Sequence, residues 1–496
     1  MFLPLYLLLS LLFLLIYDII LNFYKKRALF KFFLEHNGPR YYPYIGTNAF
    51  KDSNAFQTFI ILKKRYGLPY SMWIKNQCYY VTDNPKEIKI ILSHPQCFNK
   101  ADFYNDSVKT LLFNGFAITE LSEIDKWKLY RRFAAKSMRP VMLKLFTTTF
   151  NEFACYLSIN FKEKNHYTNF DDLVGTVNQI SFGSFMVNFL GIEQSRLKEY
   201  EDFPTCMQEG LSLSSKRTIV DMLMPQCYFK YFTPRGREFY KMIDRMRKEI
   251  YRVIQGKRKL LKENIGVGDS SNNLNFLDSY LQEEGNKFTD EEIFQQVYFL
   301  AAAGTETSAT SISFFILKVG MHPDIQEKMY KEIIDTIGDT ETISIDDLPK
   351  LKYTEQVLLE ILRLYPILPV LGRQATDNIE LDEKTLPKDC NVVITPYLVH
   401  RNEKYWPDPE KFDPDRFSPE RSKNIEPGSY IPFLLGPRDC TGRYYAMTMM
   451  KIIVSNIIKN YRIVTKYQSI EDLGLYFFIS LRTSSKVDIE LISRQK

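Results

Sequence analysis

Residues 433–442 read Phe433-Leu434-Leu435-Gly436-Pro437-Arg438-Asp439-Cys440-Thr441-Gly442, and an apolar run at residues 444–458 follows at once. Two glycines and a proline in so short a span predict an irregular loop, since Gly opens backbone angles closed to other residues and Pro fixes φ. The run after it has helical period, which puts Cys440 just ahead of a helix. Backbone N–H groups and the helix dipole at such a position favour a thiolate. A thiolate there is a good ligand for haem iron, pushing electron density that favours O–O cleavage. A lone cysteine is otherwise most often a buried, inert core residue. The weight therefore falls on the surrounding patterns.

Residues 289–322 carry a second pattern of helical period, with Thr289 and Glu292 spaced as a capping box and Pro323 just past the end. About 34 residues at about 1.5 Å each give a helix of about 50 Å, enough to cross a domain. Its middle reads Ala301-Ala302-Ala303-Gly304-Thr305-Glu306-Thr307-Ser308. Small residues let a flat ligand or another helix come close, and the hydroxyls and glycine permit a kink. Tight helix packing is the better explanation of such a segment when it stands alone.

Two further groupings are weaker singly. Glu360 and Arg363, before Leu364-Tyr365-Pro366, share a helix face at i and i+3; most such pairs are solvated and worth a few tenths of a kcal/mol, ~0.3–0.5. Trp127 and Arg131 likewise share a face, beside Lys126, Lys128, Arg132 and Arg139, a basic set that suits an acidic protein partner.

Taken together these residues resemble the cytochrome P450 family, whose haem loop reads F-x-x-G-x-R-x-C-x-G. Phe433, Gly436, Arg438, Cys440 and Gly442 match its five fixed positions. At about 5% usage per residue type, a chance match anywhere in the chain has odds on the order of one in 10⁴. The resemblance runs from the N-terminal apolar segment to the end, with the motifs in the family's order. It implies that Cys440 ligates the iron of haem b (heme b) and that Glu306 and Thr307 are an acid–alcohol pair delivering protons for O–O cleavage. It implies that Glu360, Arg363 and Arg416 (in Phe412-Asp413-Pro414-Asp415-Arg416-Phe417) form a buried structural ion-pair network behind the loop. It assigns Arg131, Arg373 and Arg438 to the haem carboxylates, with Trp127 as an N–H donor. The activity implied is insertion of one oxygen atom into an apolar substrate, with electrons from NADPH through cytochrome P450 reductase and with cytochrome b5 as a further partner. The general look is that of animal, insect-like microsomal enzymes. Ala303 stands where many fatty-acid hydroxylases of that branch carry the Glu that esterifies haem, so covalent haem is not expected.

The implied fold is mainly α with a minor β part, preceded by one transmembrane helix. Residues 1–24 are nearly all apolar, with Asp18 the one charged side chain, and Lys25, Lys26 and Arg27 follow. A bilayer core of about 30 Å takes about 20 such residues, and basic residues on the far side only put the bulk of the chain in the cytosol. The expectation is a single-pass anchor in the endoplasmic reticulum membrane, a basic and Pro/Gly-containing connector over 25–46, and a catalytic domain over 47–496. A cleaved signal peptide lacks its basic start and its small-x-small site here.

Composition is compatible with this. The 496 residues include 37 Phe and 32 Tyr, material for a large core, and 65 basic against 59 acidic residues leave +6, no case for nucleic acid. Seven cysteines without a C-x-x-C argue against zinc ribbons, redox dithiols and a disulfide framework. The five histidines include no H-E-x-x-H, no G-x-S-x-G occurs, and Gly266-Val267-Gly268 does not extend to a dinucleotide motif. Residues 70–74 and 79–82 around Lys75-Asn76-Gln77 read as a hairpin, residues 83–337 as mostly helical, and 461–491 as short strands. Residues 222–232 are apolar and aromatic, suiting either core or a membrane-facing surface. Two other classes stay open: a haem-thiolate isomerase or dehydratase needing no external reductase, and a non-catalytic haem- or lipid-binding membrane protein.

Overall fold

Thr289 starts the longest described helix, Asp290–Gly320, in the way its sequence requires. Its hydroxyl accepts the Glu292 N–H at 3.2 Å, and the Glu292 carboxylate accepts the Thr289 N–H at 2.9 Å. Two donors that a helix start leaves orphaned are thereby satisfied. Beyond Gly320 the next helix, Pro323–Ile337, opens on the proline. Nearly every side chain of the long helix is buried, on all its faces. That is the pattern of a core axis rather than of an amphipathic surface helix. Phe170–Leu190 packs along it, and Pro234–Lys262, Lys352–Leu364 and Arg443–Asn460 also lie against it.

The computed structural model describes residues 3–42, 46–47, 55–74, 76–102, 115–200, 209–210, 226–263, 275–282, 288–338, 340–469, 473–477, 480–483 and 486–494. Over these the protein is mainly helical with a minor β part. Phe113, Cys206, the sequon Asn105-Asp106-Ser107, Gly266-Val267-Gly268 and residues 222–225 lie outside the described residues.

The larger sheet has six strands, ordered Tyr41–Tyr42, Gly46–Thr47, Tyr70–Ile74, Gln77–Thr82, Asn391–Ile394 and Leu371–Gln374. The expected hairpin is its centre, with Ile74 opposite Gln77. A parallel step from Gln77–Thr82 to Asn391–Ile394 joins the two ends of the chain in one sheet, and Arg373 rides on the strand beyond it. Short strands near the carboxyl end are present as expected: Tyr461–Thr465 and the distant His166–Asn169 flank Lys486–Ser493, and Leu475–Phe477 pairs with Leu481–Thr483, while Ile379–Glu380 pairs with Thr385–Leu386.

Within the connector over 25–46, Arg27–Leu34 is a helix whose Leu29, Phe30 and Phe32 are buried. Phe30 stacks on Trp73 with ring centroids 4.4 Å apart. Just after it, the Ser71 N–H donates to the Asn37 carbonyl at 2.9 Å, and a Cβ on Gly38 would stand 1.9 Å from the Ser71 carbonyl oxygen. The aromatic face holds this helix against the sheet, because burying a Phe is worth about 1.5–3 kcal/mol. These residues are part of the catalytic domain's sheet packing rather than a free tether.

Ahead of them, Leu3–Lys25 forms a helix of 23 residues. The side chains at 3–8, 11 and 15 are outside the description, and among the described residues no helix is long and apolar enough to cross a membrane. The stretch around Cys227 divides: in the helix Gln226–Phe232, Phe229 is buried while Tyr228, Tyr231 and Phe232 are exposed.

Candidate active site

Cys440 lies two residues before Gly442, the N-cap of the helix Arg443–Asn460. The loop ahead of it is shaped by backbone, not by regular structure. The Cys440 N–H donates to the Phe433 carbonyl at 2.8 Å and the Asp439 N–H to Gly436 at 3.1 Å. Gly436 has φ +74°, and a Cβ there would lie 2.2 Å from the Leu92 carbonyl oxygen. Only glycine meets both demands.

The thiol is accessible, yet so much protein surrounds it that burial pushes its pKa up. An accessible group deep within protein lines an internal space. Against burial, the Gly442 N–H, Arg131 and Arg443 favour the thiolate, while Asp439 opposes it. Burial thus opposes the thiolate that the helix start favours, and haem iron bound at Sγ would favour it further, since a coordinating thiol is deprotonated.

The long helix also has an accessible face. In a run otherwise buried from Ala301 to Thr310, Ala303, Gly304 and Thr307 are partly accessible. Spacing of one and four residues puts them on one face, and a Cβ added to Gly304 would meet nothing within 4 Å. A flat group has room against that face. The Thr307 hydroxyl donates to the Ala303 carbonyl at 2.6 Å. Glu306 turns elsewhere: its carboxylate is buried, accepts the Ser480 hydroxyl at 3.0 Å, and pairs with Arg482. In this structure the two residues thus hold different partners.

The basic residues divide their work. On the helix Ile124–Ser137, Arg131 donates to the Asp439 carbonyl at 2.9 Å and pairs with the Asp439 carboxylate, so it grips the residue next to the cysteine. Trp127 lies under its guanidinium and meets Phe98 edge-on at 5.0 Å. Arg438 donates to four backbone carbonyls, of Phe98, Thr119, Phe116 and Ala117, at 2.5–3.2 Å, which ties that segment to the cysteine loop. Arg373 is buried in its strand. Lys100, which sequence reasoning missed, is close enough to feel both Arg373 and Arg438. Burial, and then their charges, push its ammonium well below the usual lysine range. Three basic side chains gathered in one place fit a group carrying two carboxylates, whose charge would favour the ammonium form of Lys100.

Behind the loop, Glu360 and Arg363 are wholly buried and joined by two bonds, at 2.7 and 2.8 Å. Arg416 approaches Glu360 at 3.5 Å, and the Asp413 N–H donates to it at 3.0 Å. Burial still pushes the Glu360 carboxyl up against these partners. The link forward uses residues whose role the motifs did not reveal. Arg363 donates to the His400 carbonyl at 2.8 Å, Trp406 Nε1 donates to Ser429, and the Tyr430 hydroxyl donates to Leu359. Residues 429–431 lead directly into Phe433, so the network reaches the thiolate loop. No spacing rule in the sequence points to His400.

A cysteine facing an internal space, a small-residue helix face across a core axis, and a buried cationic group define a haem-thiolate protein. Comparison with known proteins agrees. The family model for cytochrome P450 matches residues 37–480. Probable cytochrome P450 4aa1 of Drosophila melanogaster is 26% identical over 444 residues, covering 86% of this chain and 83% of its own. Cytochrome P450 4c21 of Blattella germanica is 26% identical over 440 residues, with the same coverage. Cytochrome P450 4V2 of Rattus norvegicus reaches 35% over 224 residues, 45% of this chain and 42% of its own. The chain belongs to the cytochrome P450 family: it is a monooxygenase that uses haem held by a cysteine thiolate and takes electrons from NADPH through a reductase.

Proposed function

We propose that this enzyme works as a single-pass protein of the endoplasmic reticulum membrane, with its catalytic domain in the cytosol, oxygenating an apolar lipid, steroid, terpenoid or foreign compound. The helix Leu3–Lys25 supports the anchor: Leu9, Leu12, Phe13, Leu14, Ile16, Ile20 and Phe23 are all exposed along it. Apolar side chains in that number are stable only against lipid or another protein. Lys25, Lys26 and Arg27 at its end favour the cytosolic orientation. Cytochrome P450 reductase, with cytochrome b5 as a second donor, suits the basic residues Lys126, Lys128 and Arg132 on the helix that carries Arg131.

When bound, haem b supplies dioxygen binding and O–O bond cleavage. The protein's share is positioning and protons. Cys440 Sγ holds the iron from the loop, and Arg131 and Trp127 keep that loop in place through Asp439. Arg373 and Arg438, joined by Lys100, form the positive wall for the haem carboxylates. Thr307 Oγ1 holds a proton on the accessible helix face, and Glu306 replenishes it. The observation that carries this reading is that accessible face, Ala303, Gly304 and Thr307, on an otherwise buried helix. The test is reconstitution of the full chain in phospholipid vesicles with the reductase. NADPH oxidation stimulated by an apolar substrate, with one oxygen atom from dioxygen in the product, is expected. Turnover indifferent to NADPH and reductase contradicts it.

A further inference from the structure

Glu306 lies mid-helix in the core, 4% exposed, and its partners come from the far end of the chain. Ser480 Oγ donates to it at 3.0 Å, and Arg482 Nη2 pairs with the same oxygen. The Nη1 of Arg482 donates to the Asp171 carboxylate at 3.1 Å, and its Nε to Ser480 Oγ at 3.3 Å. One guanidinium therefore bridges two carboxylates in different surroundings. Glu306 is in the core, while Asp171, in the first turn of Phe170–Leu190, has a side chain 56% exposed. Tyr476, opposite Arg482 in the hairpin register, feels all three charges.

A guanidinium does not deprotonate and so relays no proton itself. What it can do is hold a carboxylate in one of two places. While Arg482 grips Glu306, that carboxylate faces the hairpin and not the Thr307 hydroxyl. Asp171 offers Arg482 a second partner, so letting go of Glu306 does not leave a buried cation unpaired, which would be costly.

We propose that Arg482 is a positioning residue that parks Glu306 against the carboxyl-terminal hairpin, and that its release of Glu306, with Asp171 kept as its partner, frees Glu306 to carry protons inward. Each proton taken by Glu306 from water on the Asp171 side is passed to the Thr307 hydroxyl as that hydroxyl gives up its own. Glu306 thus ends each transfer ionised, ready to be gripped again. The inference rests on the proton role proposed above for Glu306 and Thr307.

The test measures, in the reconstituted enzyme, the fraction of NADPH-derived electrons released as hydrogen peroxide, the outcome expected when protons arrive poorly. Arg482→Met is expected to raise that fraction several-fold, and Arg482→Lys to restore at least half of the loss. The double variant Arg482→Met/Glu306→Gln is expected to match Glu306→Gln alone, because Arg482 acts through Glu306. A structural role would instead give additive effects and no rescue by lysine, and either result overturns the proposal. Without turnover, hydrogen exchange of the amides at 480–483 should quicken several-fold in both Arg482→Met and Glu306→Gln, and unchanged exchange overturns the pairing. If Glu306→Gln and Thr307→Val leave the peroxide fraction alone, the underlying proton role fails. If they raise it and Arg482→Met does not, only the positioning role fails.

Discussion

Nε2 of His400 accepts the backbone N–H of Ile431 at 2.9 Å. A backbone N–H can only donate, so the proton of the neutral ring is on Nδ1, which donates to the Arg363 carbonyl at 3.0 Å. The imidazole thus joins the residue that grips Glu360 to the start of the cysteine loop. Protonation would replace the Ile431 bond by two donors facing each other.

That ring therefore sets a pH dependence. Burial pushes its pKa down to about 3, while in the unfolded chain it titrates near 6.5, at about the model-peptide value. The folded value is the lower one, so the unfolded chain takes the proton first. His400's contribution is fully present above about pH 6.5 and falls by about 1.4 kcal/mol per unit towards pH 3. Urea midpoints of the folded enzyme should drop over that window, and His400→Leu should flatten the slope while lowering the midpoint at pH 7.

Breaking the ion pair behind the loop should release haem rather than slow the chemistry. Glu360→Gln or Arg363→Met leaves a buried charge without its partner, at a cost of about 3–5 kcal/mol. Arg363→Lys should fail too, since one ammonium cannot reproduce the two bonds to Glu360 and those to His400 and Lys411. The check is haem bound per protein after purification. Full haem content with reduced turnover would contradict the structural role.

Gly436→Ala probes the loop's backbone. With φ at +74° and the Leu92 carbonyl 2.2 Å from a Cβ, alanine must move the loop, at a cost of about 1–3 kcal/mol. A lower unfolding midpoint and lower haem content are expected. Gly256→Ala, on the exposed side of the helix Pro234–Lys262, is the control, because its Cβ meets nothing within 4 Å, and its haem content should be close to that of the native chain.

Thr307→Val removes a hydroxyl at nearly constant volume. Positioned proton donors contribute about 10²–10⁴-fold, so hydrogen peroxide released per NADPH should rise several-fold and product fall. Thr307→Ser should lie close to the native enzyme. Equal coupling in all three would remove Thr307 from the proton path.

Much of this was legible in the sequence because the informative features are local. The capping box at Thr289, the loop glycines and the Glu360–Arg363 spacing each work within a few residues, and each appears as read. What stayed hidden depends on contacts between distant segments. Arg482 and Glu306 are 176 positions apart, and Lys100 meets Arg373 and Arg438 only once the sheet has formed. The docking of the connector was hidden for the same reason, because the stacking of Phe30 on Trp73 needs a strand that starts 40 residues later. The surroundings of Cys440 are another case: the favourable helix start is visible in the sequence, the desolvation that opposes it is not.

The central claim, that Cys440 is the thiolate ligand of haem iron, is tested most directly by a reduced carbon monoxide difference spectrum of the purified full chain. The account predicts the strongly red-shifted Soret band of thiolate-ligated haem, lost in Cys440→Ser. A band at the position of neutral or histidine ligation in the native protein, or the red-shifted band persisting in Cys440→Ser, would contradict it.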